Sequence, residues 1–329
     1  MDKVIVTGGA GFIGHHLVKK LVSLGKFVYV VDDQSSAVVN PLTTPPDTHV
    51  REVLPQMLEF YNVDTDPANP GVVYLNCDYS SLAILKLIYT GQIKTVFHLA
   101  AKPRVEWSVQ HPVVSTTENF AKVLPLLKAC AAKNTRFVFS STAAVYGDVK
   151  TLPTLEGDNT NPKSPYGLAK LCVEQYMDLF NELYDLDYAA LRYFNVYGPG
   201  QPGDSPYSTV VSAWCAKALA GEALRSDGDG EQTRDMVYVD DVVSANILVS
   251  EITDLPHRVF NVGSGQSVSN NYIRQKFVDK GHSKVKHADA RPGDVRDTLA
   301  GIEKLESLGW KAETAFDAGL QKVFDYWNI

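Results

Sequence analysis

A chain of 329 residues, 45% of them hydrophobic, is long enough for one large core or two joined ones. Its formal net charge of -7 excludes the basic surface that non-specific nucleic-acid binding needs, although a few arginines can still converge on an anionic ligand. Cys77, Cys130, Cys172 and Cys215 are scattered, with no C-x-x-C pair and no Cys/His cluster, so neither a disulfide framework nor a metal site is expected.

Reduced thiols, the absence of an apolar run of about 18 residues, and an N-terminus passing straight from Met1-Asp2-Lys3 into an apolar strand predict a soluble, cytoplasmic protein without membrane association. Strands are expected at Val4 to Thr7, Phe27 to Val31, Val72 to Cys77, Thr95 to Leu99 and Phe137 to Ser140, separated by helix-period segments. In the first of these segments Ile13, Leu17, Leu21 and Leu24 share a face and Gly25 supplies the stop. Such alternation predicts an α/β fold with a parallel sheet covered on both faces.

The interval from Asp33 to Gly71 carries six prolines and breaks the rhythm; it reads as a long excursion with one short helix near Val50 to Phe60. Ser164 and Pro165 look like the N-cap and first residue of a helix running to about Tyr184. Ala189 to Phe194 is a further strand. Beyond it the texture turns to Gly/Pro-rich loops and short helices, as in a smaller lobe.

Gly9-Ala10-Gly11-Phe12-Ile13-Gly14 fits G-x-G-x-x-G, and Gly8, Gly11 and Gly14 also fit G-x-x-G-x-x-G. Placed between a strand and an amphipathic helix, such glycines let the backbone approach a pyrophosphate at the helix N-terminus. Asp32 ends the next strand, where a carboxylate accepts from a ribose hydroxyl, and no Lys or Arg follows from Asp33 through Asn40 to neutralise a 2′-phosphate. NAD is therefore expected rather than NADP. The plainer reading is a glycine-rich turn beside a surface acid.

Tyr166 and Lys170, in Tyr166-Gly167-Leu168-Ala169-Lys170, lie four residues apart and so on one helical face. A phenol titrates near pH 10, about three units above neutrality, and serves as a base when a neighbouring ammonium stabilises its anion. By itself Y-x-x-x-K usually marks a surface pair. An upstream dinucleotide loop, together with Ser140-Ser141-Thr142 at a strand end, favours catalysis.

Segments 7–14 (TGGAGFIG), 137–147 (FVFSSTAAVYG), 166–170 (YGLAK), 191–200 (LRYFNVYGPG), 234–241 (RDMVYVDD) and 291–294 (RPGD) resemble the extended short-chain dehydrogenase/reductases, and within them the UDP-glucose and UDP-N-acetylglucosamine 4-epimerases. The likeness implies a Rossmann-type doubly wound parallel sheet with a smaller C-terminal α/β substrate lobe. Residues 1–194 and 232–264 would form the NAD-binding domain, and 195–231 and 265–329 the UDP-sugar lobe.

It also implies roles. Thr142 would hydrogen-bond the sugar 4-oxygen, Tyr166 would be the base, and Lys170 would tune Tyr166 and hold the nicotinamide ribose. Gly8, Gly11, Phe12, Ile13, Gly14, Asp32, Asp78, Tyr79, Ala100, Ala101, Lys102, Asn119 and Tyr193 would surround the dinucleotide, with Asp78 and Tyr79 at the adenine. Asn195, Arg234, Arg291 and Asp294 would take the UDP moiety, the arginines as bidentate phosphate clamps.

Thr142-Ala143-Ala144-Val145-Tyr146-Gly147 lacks the acidic residues that dehydrating and decarboxylating relatives carry after the catalytic Ser/Thr, as in T-D-E or T-S-E. Oxidation at C4 and its reversal, epimerisation, is what remains. Thr298 takes the place of a bulky gate residue, leaving room for an N-acetyl group, and Glu106 would repel a uronate if it faced the sugar. The expected enzyme is an NAD-dependent UDP-GlcNAc/UDP-GalNAc 4-epimerase also acting on UDP-Glc/UDP-Gal, and a homodimer through helices around Val113 to Ala132 and Tyr166 to Tyr184. Other NAD-dependent nucleotide-sugar epimerases or oxidoreductases, uronate 4-epimerases among them, and a non-catalytic NAD-binding regulator are the alternatives.

Overall fold

The structure, a computed structural model, describes residues 1–35, 50–52, 71–103, 105–203, 209–289 and 295–329. Its strands are β1 (Lys3–Thr7), β2 (Phe27–Asp32), β3 (Val50–Glu52), β4 (Val72–Asn76), β5 (Ile93–His98), β6 (Arg136–Thr142), β7 (Tyr188–Tyr193), β8 (Asn195–Tyr197), β9 (Leu224–Asp227), β10 (Thr233–Tyr238), β11 (Val259–Val262), β12 (Ser267–Ser269) and β13 (Val285–Ala288). The helices are α1 (Phe12–Ser23), α2 (Leu82–Tyr89), α3 (Val105–Gln110), α4 (Pro112–Asn119), α5 (Leu124–Ala132), α6 (Pro165–Tyr184), α7 (Val210–Leu219), α8 (Val239–Glu251), α9 (Asn270–Asp279), α10 (Glu303–Glu306) and α11 (Phe316–Trp327). The chain divides into two units: residues 1–141, 164–191 and 246–259, and residues 142–163, 192–245 and 260–329.

The first unit is the α/β fold expected. Its sheet runs β7-β6-β5-β1-β2-β4-β3. The registered pairs from β3 to β6 are all parallel. From β1 the chain steps outward to β2 and β4, then returns to the other side of β1 for β5 and β6. The order therefore reverses beside β1, the place where doubly wound sheets bind ligands at their carboxyl ends. Consecutive residues of β1 and β2 are buried, as a sheet covered on both faces requires. Ile5, Tyr29, Leu75, Val96 and Phe137 meet Ile84, Leu126, Val173 and Met177 in the core.

α1 buries Gly14, Leu17, Val18, Leu21 and Val22, whereas Leu24, expected on that face, is the C-cap and 46% exposed. Gly25, at φ +73°, donates to Val22 O (2.9 Å) and Lys26 to Leu21 O (3.1 Å), a Schellman stop that glycine's freedom at positive φ makes possible. Of the short helix expected near Val50 to Phe60, Val50–Glu52 is instead strand, drawn into parallel register with Val72 to Tyr74; 53–60 lie outside the described residues.

In the second unit β12-β10-β8 form a three-stranded sheet, antiparallel between β10 and β12 and parallel between β10 and β8; β13 and β9 pair in parallel. Trp214, Phe277 and Phe324 stack edge to face at 5.7 and 4.9 Å between centroids, tying α7, α9 and α11 together.

Candidate active site

The glycine loop follows β1 directly. Gly8 sits at φ +70°, and its amide donates to Val31 O at 2.8 Å, which holds the turn against β2. A Cβ on Gly8 would meet Ala100 N at 2.7 Å, and one on Gly14 would meet Gly8 O at 2.1 Å, so the first bends the chain and the second lets α1 pack on the loop. At Gly11 a Cβ would find only Gly8 O, at 3.1 Å, leaving that backbone open to approach. Gly11 is the N-cap of α1, and no side chain caps the helix, so its first amides are available to an anion. Phe12 and Ile13 begin the helix half-buried.

Asp32 ends β2 with both oxygens engaged by the backbone: Oδ2 accepts from Ala10 N (3.0 Å) and Oδ1 from Gln34 N (2.8 Å). Burial pushes its carboxyl up, and these two amides pull it back. After β4, Asp78 accepts from Ser80 N and Oγ (2.8 and 2.7 Å) and from Lys122 Nζ (2.7 Å). Burial works upward there too, but Lys122 and Ser80 outweigh it and hold the carboxyl below its ordinary value. Tyr79 is buried and donates to Glu118 O.

Ala100, Ala101 and Lys102 follow β5. Asn119 of α4 clamps this loop by accepting from Lys102 N (2.8 Å) and donating to Lys102 O (3.2 Å), while the Lys102 ammonium reaches Ser35 Oγ. These features fit a dinucleotide: a backbone cradle without Cβ atoms, an uncapped helix N-terminus, and an acid at the end of β2.

Helix α6 starts as its sequence predicts, with Ser164 Oγ accepting from Gly167 N at 3.1 Å and Pro165 in the first turn. Tyr166 is 8% exposed, and its amide donates to Ser108 Oγ of α3 at 3.2 Å. One turn on, Lys170 is 1% exposed; its ammonium donates to Ser140 O of β6 at 2.7 Å and lies 4.5 Å from the Phe139 ring centroid. Burial brings this lysine down to about 7, against the opposing pull of the Glu174 carboxylate.

Four further residues, none with a role of its own assigned from sequence, shape this unit, two of them, Gly9 and Ser141, inside motifs already named. A Cβ on Gly9 would collide with Val30 Cγ1 at 2.7 Å. Ser141 Oγ donates to the buried Glu174. His98 shares a 2.8 Å hydrogen bond with Thr7 Oγ1 and is held neutral by burial and by the Lys170 charge.

In the second unit Thr142 begins a 3₁₀ turn, Ala143–Val145, its Oγ1 accepting from Ala144 N at 3.2 Å. Thr298 Oγ1 accepts from Asp235 N (3.0 Å) and from Asn195 Nδ2 (3.3 Å), and Asn195 Nδ2 also donates to Asp235 O (3.2 Å). Asp235 itself accepts from the amides of Ser264, Gly265 and Ala300 at 2.6 to 3.1 Å, so one buried carboxylate fixes two loops beside Asn195 and Thr298. In the sequence it stood only within the segment 234–241 (RDMVYVDD), with no role of its own.

Arg234, half-buried, donates to Thr233 O (2.9 Å) and Arg296 O (2.8 Å). Tyr193 is buried at the end of β7. Arg291 and Asp294 lie outside the described residues. Glu106 is exposed on α3, so the expectation that it repels a uronate from the sugar site loses its basis.

Comparison with known proteins agrees with this architecture. The profile of the NAD dependent epimerase/dehydratase family matches residues 4–263. The UDP-glucose 4-epimerase of Mycolicibacterium smegmatis is 31% identical over 331 residues, covering 99% of this chain and 98% of that protein. The crystal structure of UDP-glucose 4-epimerase from Thermotoga maritima with UDP-glucose superposes with a TM-score of 0.83 at 34% identity, over 99% of this chain and 98% of that one. The UDP-N-acetylglucosamine 4-epimerase of Methanobrevibacter ruminantium, in complex with UDP-N-acetylmuramic acid, gives 0.85 at 34% identity over the same shares. With a profile match across most of its length and relatives of this similarity end to end, the chain belongs to the NAD dependent epimerase/dehydratase family, as an enzyme whose cofactor is NAD.

Proposed function

We propose that the enzyme is a UDP-hexose 4-epimerase, acting on UDP-GlcNAc/UDP-GalNAc and on UDP-Glc/UDP-Gal. The observation that carries this reading is the Tyr166/Lys170 pair: a buried phenol and a buried ammonium one helical turn apart, the ammonium anchored on Ser140 O. The bound dinucleotide supplies a reversible acceptor for the hydride at C4 of the sugar. Tyr166 removes the 4-hydroxyl proton as a general base, and Lys170 stabilises the phenolate that does so. Thr142 supplies a hydroxyl to the same sugar oxygen.

The turn after Thr142 is built from Ala143 and Ala144 and carries no carboxylate to expel water or assist loss of carbon dioxide. The 4-keto sugar is held by its UDP part, through Asn195, Arg234, Arg291 and Asp294, and loosely by its hexose, so either face can be presented for hydride return. Thr298 has a short side chain, which leaves space at the 2-position for an acetamido group.

Exposed Leu168 (52%), Tyr176 (38%), Leu179 (43%) and Leu183 (59%) line one face of α6, and this supports a homodimer with a second copy covering them. The four unpaired cysteines support residence in the reducing cytoplasm.

Product analysis after parallel incubation with UDP-Glc, UDP-GlcNAc and UDP-GlcA tests the reading. Epimerised hexose without net formation of reduced nicotinamide is expected, with a loss of about 10³-fold in kcat for Tyr166→Phe. Stoichiometric nicotinamide reduction, or a fully active Tyr166→Phe, would exclude it.

A further inference from the structure

Tyr166, Lys170 and Glu174 follow one another at four-residue intervals along α6, and all three are buried, at 8%, 1% and 3% exposure. A glutamate with so little solvent is uncommon and needs partners. One partner is Ser141 Oγ, which donates to Glu174 Oε1. The residue before it, Ser140, gives its carbonyl to the Lys170 ammonium at 2.7 Å. Successive turns of the helix thus grip successive residues of β6, lysine on 140 and glutamate on 141. The next residue of that strand is Thr142.

Buried ammonium is costly unless paired. The titratable groups that interact with Lys170 include Glu174 on its own helix and His98 from the end of β5, with Tyr166 one turn before it on α6. His98 is held neutral and brings no negative charge. The carboxylate that favours the charged lysine is that of Glu174.

We propose that Glu174 is a positioning residue of the catalytic helix: aimed by Ser141, its carboxylate holds the end of β6 in register with α6 and supplies the counter-charge that keeps Lys170 an ammonium. For catalysis this rests on the reading of Tyr166 as a base assisted by Lys170. Buried at 3% exposure, Glu174 acts through lysine. Removing its charge while keeping its shape lets Lys170 lose its proton more readily, and the phenolate then loses its stabilising cation.

The test is the titration of Lys170 Nζ, followed by ¹⁵N NMR in lysine-labelled holoenzyme and assigned with Lys170→Met. In Glu174→Gln the Lys170 midpoint is expected to move down by about one pH unit, and Glu174→Asp is expected to restore it. An unmoved midpoint in Glu174→Gln overturns the proposal. Should that variant not fold, Ser141→Ala, which removes only the hydroxyl aiming the carboxylate, carries the test; the same downward move is expected, and an unchanged signal overturns the proposal.

Turnover is read separately. Glu174→Gln is expected to lower kcat by about tenfold and shift the pH–rate profile, with the KM for the sugar nucleotide little changed. A fully active Tyr166→Phe, by contrast, would remove the catalytic reading while leaving the lysine titration to judge Glu174 alone.

Discussion

Gly14 packs so closely on Gly8 that a methyl group added to it would lie 2.1 Å from the Gly8 carbonyl oxygen and 2.8 Å from Gly9 Cα. At Gly11 the same addition meets only Gly8 O, at 3.1 Å. The two glycines therefore meet different surroundings, Gly14 packed tightly on the loop and Gly11 open but for one carbonyl. Gly14→Ala is expected to lower the Tm by several degrees and to lose bound NAD. Gly11→Ala is expected to keep the Tm within about 2 °C while weakening NAD binding by tenfold or more, because a methyl obstructs the pyrophosphate and little else. Thermal melts of the apo-proteins and NAD titrations separate the two; equal loss of Tm in both would contradict this division.

Thr298 combines a short side chain with an acceptor that serves two N–H groups, Asp235 N and Asn195 Nδ2. Thr298→Tyr fills the space and is expected to cut kcat/KM for UDP-GlcNAc at least tenfold more than for UDP-Glc. Thr298→Val preserves the space and removes the acceptor. It should retain the sugar preference and lose about 1–3 kcal/mol of stability, measured by urea unfolding. Parallel loss of both substrates in the tyrosine variant would refute the size argument.

His15, in the first turns of α1, has its Nδ1 3.0 Å from Gly11 O and its ring tilted against that of His16, with centroids 4.1 Å apart. Burial, with the neighbouring His16 charge, lowers it to about 4 from an ordinary 6.5. Between those values the unfolded chain binds more protons than the folded one, so stability is full above pH 6.5 and declines as the pH falls toward 4. Across that window the effect is worth roughly 3 kcal/mol. His15→Asn should flatten this part of the stability–pH curve in denaturant unfolding between pH 4 and 7.

Arg136, 7% exposed, pairs with Asp187 at 2.7 Å and donates to the carbonyls of Val249, Ile252 and Thr253 at the end of α8. Arg136→Met orphans those acceptors and should cost about 3–5 kcal/mol in unfolding free energy. A loss under 1 kcal/mol would mean the helix end finds other partners.

What could be read in the sequence was what local pattern encodes. Strand–helix alternation, the glycine loop, Asp32 at the end of β2, the Ser164 cap and the Tyr166/Lys170 spacing all depend on neighbours within a few residues. Glu174 escaped because an acid within an amphipathic helix reads as solvated, and its partner Ser141 is 33 residues away. Gly9 belonged to a recognised motif, yet its demand for space comes from Val30 on the next strand. Val50–Glu52 looked helical until pairing with β4 overrode local preference. Glu106 was assigned a task by position alone, and the side chain proved exposed.

The route of the backbone carries a consequence for anyone hoping to take the protein apart. The chain passes between its two units five times, after residues 141, 163, 191, 245 and 259. Two of those passages adjoin Thr142 and Ser164, the latter two residues before Tyr166. No single truncation or proteolytic nick can release either half intact, so gene fragments and swaps of whole lobes between homologues should yield insoluble material. Tolerated change in such a protein must come by point substitution or by loop replacement.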